Sequence, residues 1–179
     1  GLRMSQAAAP LYLLHTQPDA RLLATWMARH RTHDEGEALH GLLDDSVAIV
    51  SVQWANNETG AIQPIERIGA ICRERGIPFH SDGTQWVGKM PVDVASAPID
   101  FLSCSAHKFH GPKGAGALYF RPRSRFRPVI HGSQERERRG GTENTAGIVG
   151  MGVAAEVVRE WLAAPANRQA VAKQRDRLE

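Results

Sequence analysis

Cysteine is scarce in this sequence. Cys72 and Cys104 are the only two in 179 residues, too few for a disulfide framework and without the paired spacing of a metal site. No apolar run approaches the roughly 18 residues that a membrane span needs. The first ten residues lack an apolar stretch followed by a small-residue cleavage site, so no secretory signal is read there. Charge of one sign is not in excess either: 22 Lys and Arg face 19 Asp and Glu, a net charge of +3. The basic residues are scattered rather than gathered on one stripe, which argues against a nucleic-acid or membrane partner. Internal repeats and low-complexity tracts are absent. What remains is an ordinary globular composition, 42% hydrophobic and 23% charged, long enough for one domain with a core. A reducing cytoplasm is the expected setting.

The chain divides into a weakly patterned start and a strongly patterned remainder. Within residues 1–34, residues 11–14 are apolar and 20–29 suit a helix. From about residue 35 the pattern sharpens. Residues 38–43 read as a short helix broken by Asp44-Asp45-Ser46. Residues 47–52 form an apolar run of the kind found in strands buried on both faces, and 56–60 form a loop by composition. Pro64 then opens a helix with Ile65, Ile68 and Cys72 on one face, closed by Gly76. Residues 77–80 predict a short strand, 101–105 another, and 114–120 a strand or hairpin entered through a glycine-rich turn. Ile148, Met151, Ala155, Val158 and Leu162 keep helical spacing, which predicts a helix packed on the core. Residues 167–179 are charged and helix-prone and stop without a capping signal, so the chain is expected to be cut short. Strand, helix and strand in alternation predict an α/β fold with a mainly parallel sheet flanked by helices.

Three polar clusters follow apolar runs: Asn56-Asn57-Glu58, His80-Ser81-Asp82-Gly83-Thr84-Gln85, and Ser103-Cys104-Ser105-Ala106-His107-Lys108. In an open α/β sheet, ligands bind outside the carboxyl ends of the strands. The residue types are those that pyridoxal 5'-phosphate (PLP) requires. A lysine amine forms a Schiff base with its aldehyde. A carboxylate keeps the pyridine nitrogen protonated, and polar donors hold the phenolic oxygen and the phosphate. Lys108, Asp82, Gln85 and Ser105 could supply these four functions. Taken singly, each has a plainer reading: a surface lysine, a turn aspartate beside glycine, a core histidine at residue 80.

The order of the clusters resembles the cysteine desulfurases of the class V aminotransferase group. The strings that carry it are Ala55-Asn56-Asn57-Glu58-Thr59-Gly60, His80-Ser81-Asp82-Gly83-Thr84-Gln85, Ser105-Ala106-His107-Lys108-Phe109-His110-Gly111-Pro112-Lys113-Gly114, and Gln134 through Asn144 with its Gly-Gly-Thr turn. The resemblance runs from about residue 35 to residue 164. It implies the central part of the large PLP-binding domain of a fold type I enzyme over residues 35–179, with the small domain absent and residues 1–34 matching poorly. By motif position, Lys108 is the catalytic, cofactor-bearing lysine and Asp82 pairs with the pyridine nitrogen. Asn57 and Gln85 serve the phenolic oxygen, and Ser105 and His107 the phosphate. Thr142 reaches the phosphate of the other subunit of a homodimer.

The same resemblance implies L-cysteine as substrate, L-alanine as product, and a persulfide on a mobile cysteine. That cysteine falls downstream of this chain; Cys72 and Cys104 read as small core residues. A sulfur-acceptor or scaffold protein, in iron–sulfur cluster or thiolation pathways, is the expected partner. The sequence departs from the pattern in three places. An upstream Gly-Ala-Thr-Glu phosphate loop and the ring-stacking histidine are absent, and His131-Gly132-Ser133-Gln134 is a glycine short. Selenocysteine lyase or class V aminotransferase chemistry uses the same Lys108 and Asp82. A truncated, non-catalytic remnant or dimerisation module is the reading from a different class.

Overall fold

Residues 47–53 form an inner strand of the sheet, and side chains on both of its faces are buried. The computed structural model describes residues 21–24, 39 and 41–178. Its strands are β1 (Arg21–Ala24), β2 (Val47–Gln53), β3 (Phe79–Asp82), β4 (Phe101–Ser105) and β5 (Gly116–Phe120). They form one sheet in the order β1-β2-β3-β4-β5. The first four run parallel and β5 returns antiparallel beside β4. The expected α/β architecture with a mainly parallel sheet is what the chain adopts.

Among the described residues, three helices of ten residues or more accompany the strands: α1 (Ile65–Glu74), α2 (Thr145–Ala163) and α3 (Pro165–Asp176). Pro64 sits at the N-cap of α1, and the helix closes in a Schellman motif. Gly76 takes φ +66°, its N–H donates to the Arg73 carbonyl, and the Ile77 N–H donates to the Cys72 carbonyl at 2.9 Å. Ile65, Ile68, Ile71 and Cys72 are buried against Val50, Val52, Phe79 and Leu102. This is the main core and covers one face of the sheet.

Two sequence expectations change. Residues 21–24 lie in a strand, not a helix: they pair in parallel with Val47–Ser51 of β2, and sheet pairing overrides the helical preference of leucine and alanine. Residues 11–14 and 25–29 lie outside the described residues; of 38–43, Leu39 is helical and Gly41 and Leu42 form a turn. The inward stripe of α2 is also rotated from the expected one. Gly147, Ala154 and Val158 are buried, with Met151 and Leu162 packing partly against Ala106 and Phe109. Ile148 is 49% exposed, and Ala155 faces outward. The helix approaches through its small residues: a Cβ at Gly150 would lie 3.0 Å from the Pro112 ring, so the bulkier positions turn away.

Side chains alternate across a strand, and the parallel register aligns two rows. Ser51, His80 and Phe101 are neighbours in one row, and Gln53, Asp82 and Ser103 in the next. This face is opposite the α1 core. Among the described residues, no helix is long and apolar enough to cross a membrane, and no cluster of His, Cys, Asp and Glu could hold a metal ion.

Candidate active site

Parallel strands deliver their carboxyl ends to one edge, so the segments following Gln53, Asp82 and Ser105 converge there. The first is shaped by Asn56, whose Oδ1 accepts the N–H groups of Glu58 at 2.8 Å and Thr59 at 2.9 Å. This Asx turn presents Asn57 exposed beside it. The Trp54 N–H donates to the Asp82 carbonyl at 2.8 Å, and the Trp54 and Trp86 rings stack at 4.9 Å. The loops after β2 and β3 are thereby tied together.

Asp82 is half-buried at the end of β3. Its Oδ1 accepts the Thr84 N–H at 2.9 Å and the Ser103 hydroxyl at 3.4 Å. No described residue bonds to Oδ2. Behind it, His80 is buried, with Nδ1 2.7 Å from the Ser51 hydroxyl and Nε2 3.2 Å from that of Ser103. Burial pushes the imidazole below its ordinary range, partly opposed by the Asp82 charge. Gly83 lets the chain leave β3 tightly: a Cβ there would come 2.7 Å from the Leu102 side chain.

Lys108 ends a 3-10 turn, Ala106–Lys108, that directly follows β4. The turn is braced on both sides. Ala106 is fully buried, its N–H donates to the Ala115 carbonyl at 3.0 Å, and its carbonyl accepts the Gly111 N–H at 2.8 Å. Phe109 is buried in the smaller core with Ala154 and Val158. Between these anchors His107 and Lys108 are exposed. Gln85 accepts from the Lys89 ammonium at 3.3 Å. Partial burial lowers the Lys89 amine below the usual lysine range, and the nearby Lys108 charge adds to it. The two cations therefore share a neighbourhood with Gln85.

The structure brings Asp82 into one hydrogen-bonded set with Ser103 and His80, and sets Gln85 and Lys108 around Lys89. It does not join Asn57, Ser105, His107 or Thr142 to another candidate by a side-chain hydrogen bond among the described residues. Ser105 is half-buried, and Thr142 is exposed after Gly141, whose φ is +96°. The Thr142 turn leads to Asn144, the N-cap of α2, whose side chain accepts the Gly147 N–H at 3.1 Å. Ser51, Ser103 and Lys89 were not among the sequence candidates. Ser51 lies inside an apolar run, and only the parallel register reveals that it meets His80.

The two thiols are unsuited to attack. Burial, aided by Asp100, pushes Cys72 up to about 12. Burial also raises Cys104, against a lowering hydrogen bond from the Ala117 backbone. Both stay protonated near neutrality, in accord with their reading as core residues.

Comparisons with known proteins agree with this arrangement. The family model for Aminotransferase class-V matches residues 6–178. A cysteine desulfurase of Enterobacter agglomerans is 52% identical over 138 residues, 76% of this chain and 34% of that protein. The cysteine desulfurase NifS of Azotobacter vinelandii is 41% identical over 183 residues, 88% of this chain and 46% of that protein. The chain thus spans less than half the length of these curated relatives. The solved structure of SspA in complex with cysteine superposes with a TM-score of 0.65 at 44% identity, over 68% of this chain and 36% of that one. The order of motifs, the mainly parallel sheet of the PLP fold type I enzymes and the family match lead to one conclusion: the chain belongs to the class V aminotransferase family.

Proposed function

We propose that this chain supplies the PLP-binding core of a cysteine desulfurase, which converts L-cysteine to L-alanine and passes the sulfur on as an enzyme persulfide. The observation that carries the reading is the placement of Asp82 and Lys108 at the carboxyl ends of the adjacent parallel strands β3 and β4. A carboxylate with one oxygen unbonded among the described residues ends β3, and an exposed, braced lysine follows the end of the adjacent parallel strand β4. The donor set fits PLP: Asp82 Oδ2 for the ring nitrogen, the Lys108 amine for the aldehyde, Gln85 and Asn57 for the phenolic oxygen, and Ser105 and His107 for the phosphate. When bound, PLP supplies an electron sink for a substrate carbanion. The chain's own contribution is to orient Asp82 through the Thr84 N–H and the Ser103 hydroxyl, to keep Gln85 in place through Lys89, and to present the Lys108 amine as the base that moves the substrate α-proton.

The persulfide cysteine belongs, on this reading, to the part of the relatives that this chain does not span, because Cys72 is buried and Cys104 is half-buried against the smaller core. A homodimer is part of the proposal, with the exposed Thr142 offered to the phosphate of the other subunit. So are a sulfur-acceptor or scaffold protein serving iron–sulfur or thiolation pathways, and a reducing cytoplasmic setting. Alanine release from L-cysteine by the complete, PLP-loaded protein, beside Lys108→Ala, tests the proposal. Release by the parent alone supports it. Release from selenocysteine only, formation of a 2-oxo acid instead of alanine, or equal release by Lys108→Ala overturns it.

A further inference from the structure

The polar chain behind Asp82 has a direction fixed by hydrogen-bond chemistry. Asp82 Oδ1 is an acceptor, so the Ser103 hydroxyl spends its single proton on it, at 3.4 Å. Ser103 Oγ then has only lone pairs to offer His80 Nε2 at 3.2 Å. That ring nitrogen must therefore carry a proton. His80 is 8% exposed and meets two hydroxyls instead of a carboxylate, an environment that favours the neutral ring. Nδ1 is then an acceptor, and Ser51 donates to it at 2.7 Å. Every bond in the series Ser51, His80, Ser103, Asp82 points the same way, toward the carboxylate.

We infer that His80 is a positioning residue for Asp82: held as its Nε2–H tautomer, it fixes Ser103 as a donor to Oδ1 and so leaves Oδ2 as the oxygen that faces a ligand. This rests on the reading that Asp82 meets the protonated nitrogen of PLP. The series spans three adjacent strands, β2, β3 and β4, whose parallel register makes Ser51 the neighbour of His80 and Asp82 that of Ser103. The Thr84 N–H, at 2.9 Å, holds the same oxygen from the loop side. Two donors converge on Oδ1, which sets the carboxylate's rotation.

The test is nitrogen NMR of the His80 ring in the protein, with PLP titrated into the parent, Ser103→Ala and Ser103→Thr. The expected result is a neutral ring protonated at Nε2 in the parent, loss of that fixed tautomer in Ser103→Ala, and its return in Ser103→Thr. PLP binding weakens roughly tenfold in Ser103→Ala, the scale of one hydrogen bond to a charged group, and recovers in Ser103→Thr. A ring protonated at Nδ1 alone in the parent, or unchanged PLP affinity in a folded Ser103→Ala, overturns the inference. If Ser103→Ala fails to fold, the parent's tautomer decides, because it needs neither variant nor cofactor. Failure of the PLP reading looks different: no variant, parent included, then fixes PLP on Lys108 after borohydride.

Discussion

Gly69 on α1 leaves no gap between the helix and Pro98. A Cβ built at Gly69 would come 2.3 Å from the Pro98 carbonyl oxygen and 2.9 Å from its Cβ. The neighbour is backbone next to Ile99, which is fully buried, so it has little freedom to withdraw. Gly69→Ala adds helix propensity in principle, but here overpacking wins. The expected cost is about 1–3 kcal/mol, read as a lower urea midpoint with unchanged slope.

Arg121 fastens the same loop from the far side. Its guanidinium donates to the carbonyls of Ile99 at 3.0 Å, Val94 at 3.3 Å and Ala97 at 2.6 Å, and lies 4.0 Å from Asp100. Arg121→Ala strands these carbonyls and should cost about 1–3 kcal/mol. Arg121→Lys should recover little, since one ammonium cannot reproduce the planar fork. Chemical denaturation of both variants measures this.

Stability should fall as pH drops below about 6.5, and His80 should account for part of the fall. The folded imidazole lies below the ordinary value of 6.5 because it is buried. Above that pH both the folded and unfolded states are neutral. Below it the unfolded chain takes up a proton that the folded chain resists, so unfolding gains until the depressed folded value is reached. His80→Gln should flatten this part of the profile relative to the parent, as followed by urea midpoints between pH 5 and 7.5.

Cys72 and Cys104 should react slowly with a thiol reagent in the native protein at pH 8 and quickly in denaturant. Cys72 is held up to about 12 and is 1% exposed. Fast native labelling of Cys72 would contradict its place in the main core.

The sheet was legible because each buried strand is an apolar run bounded by turn residues, and the helix from Pro64 to Gly76 carries both its signals. Residues 21–24 were not legible: Arg-Leu-Leu-Ala has no strand pattern of its own, and only pairing with β2 decides it. Met151, Val158 and Leu162 of α2 face the core as their spacing predicts; that Gly147 and Ala154 take the remaining inward positions in place of Ile148 and Ala155 was hidden, because small residues carry little hydrophobic signal. At the site, Asp82 and Lys108 could be named from their motif strings. Ser51 and Ser103 could not, since their roles exist only across strands in a register that the sequence does not state.

On the proposed function, PLP selects Lys108 over every other lysine of the chain. The chain has four lysines, Lys89, Lys108, Lys113 and Lys173. Incubation of the protein with PLP, reduction with borohydride and peptide mass spectrometry would compare them directly. The expected result is a pyridoxyl mass on Lys108 far above the other three, and its loss in Lys108→Ala without transfer to Lys89. Equal labelling of all four lysines, or labelling that spares Lys108, would contradict it.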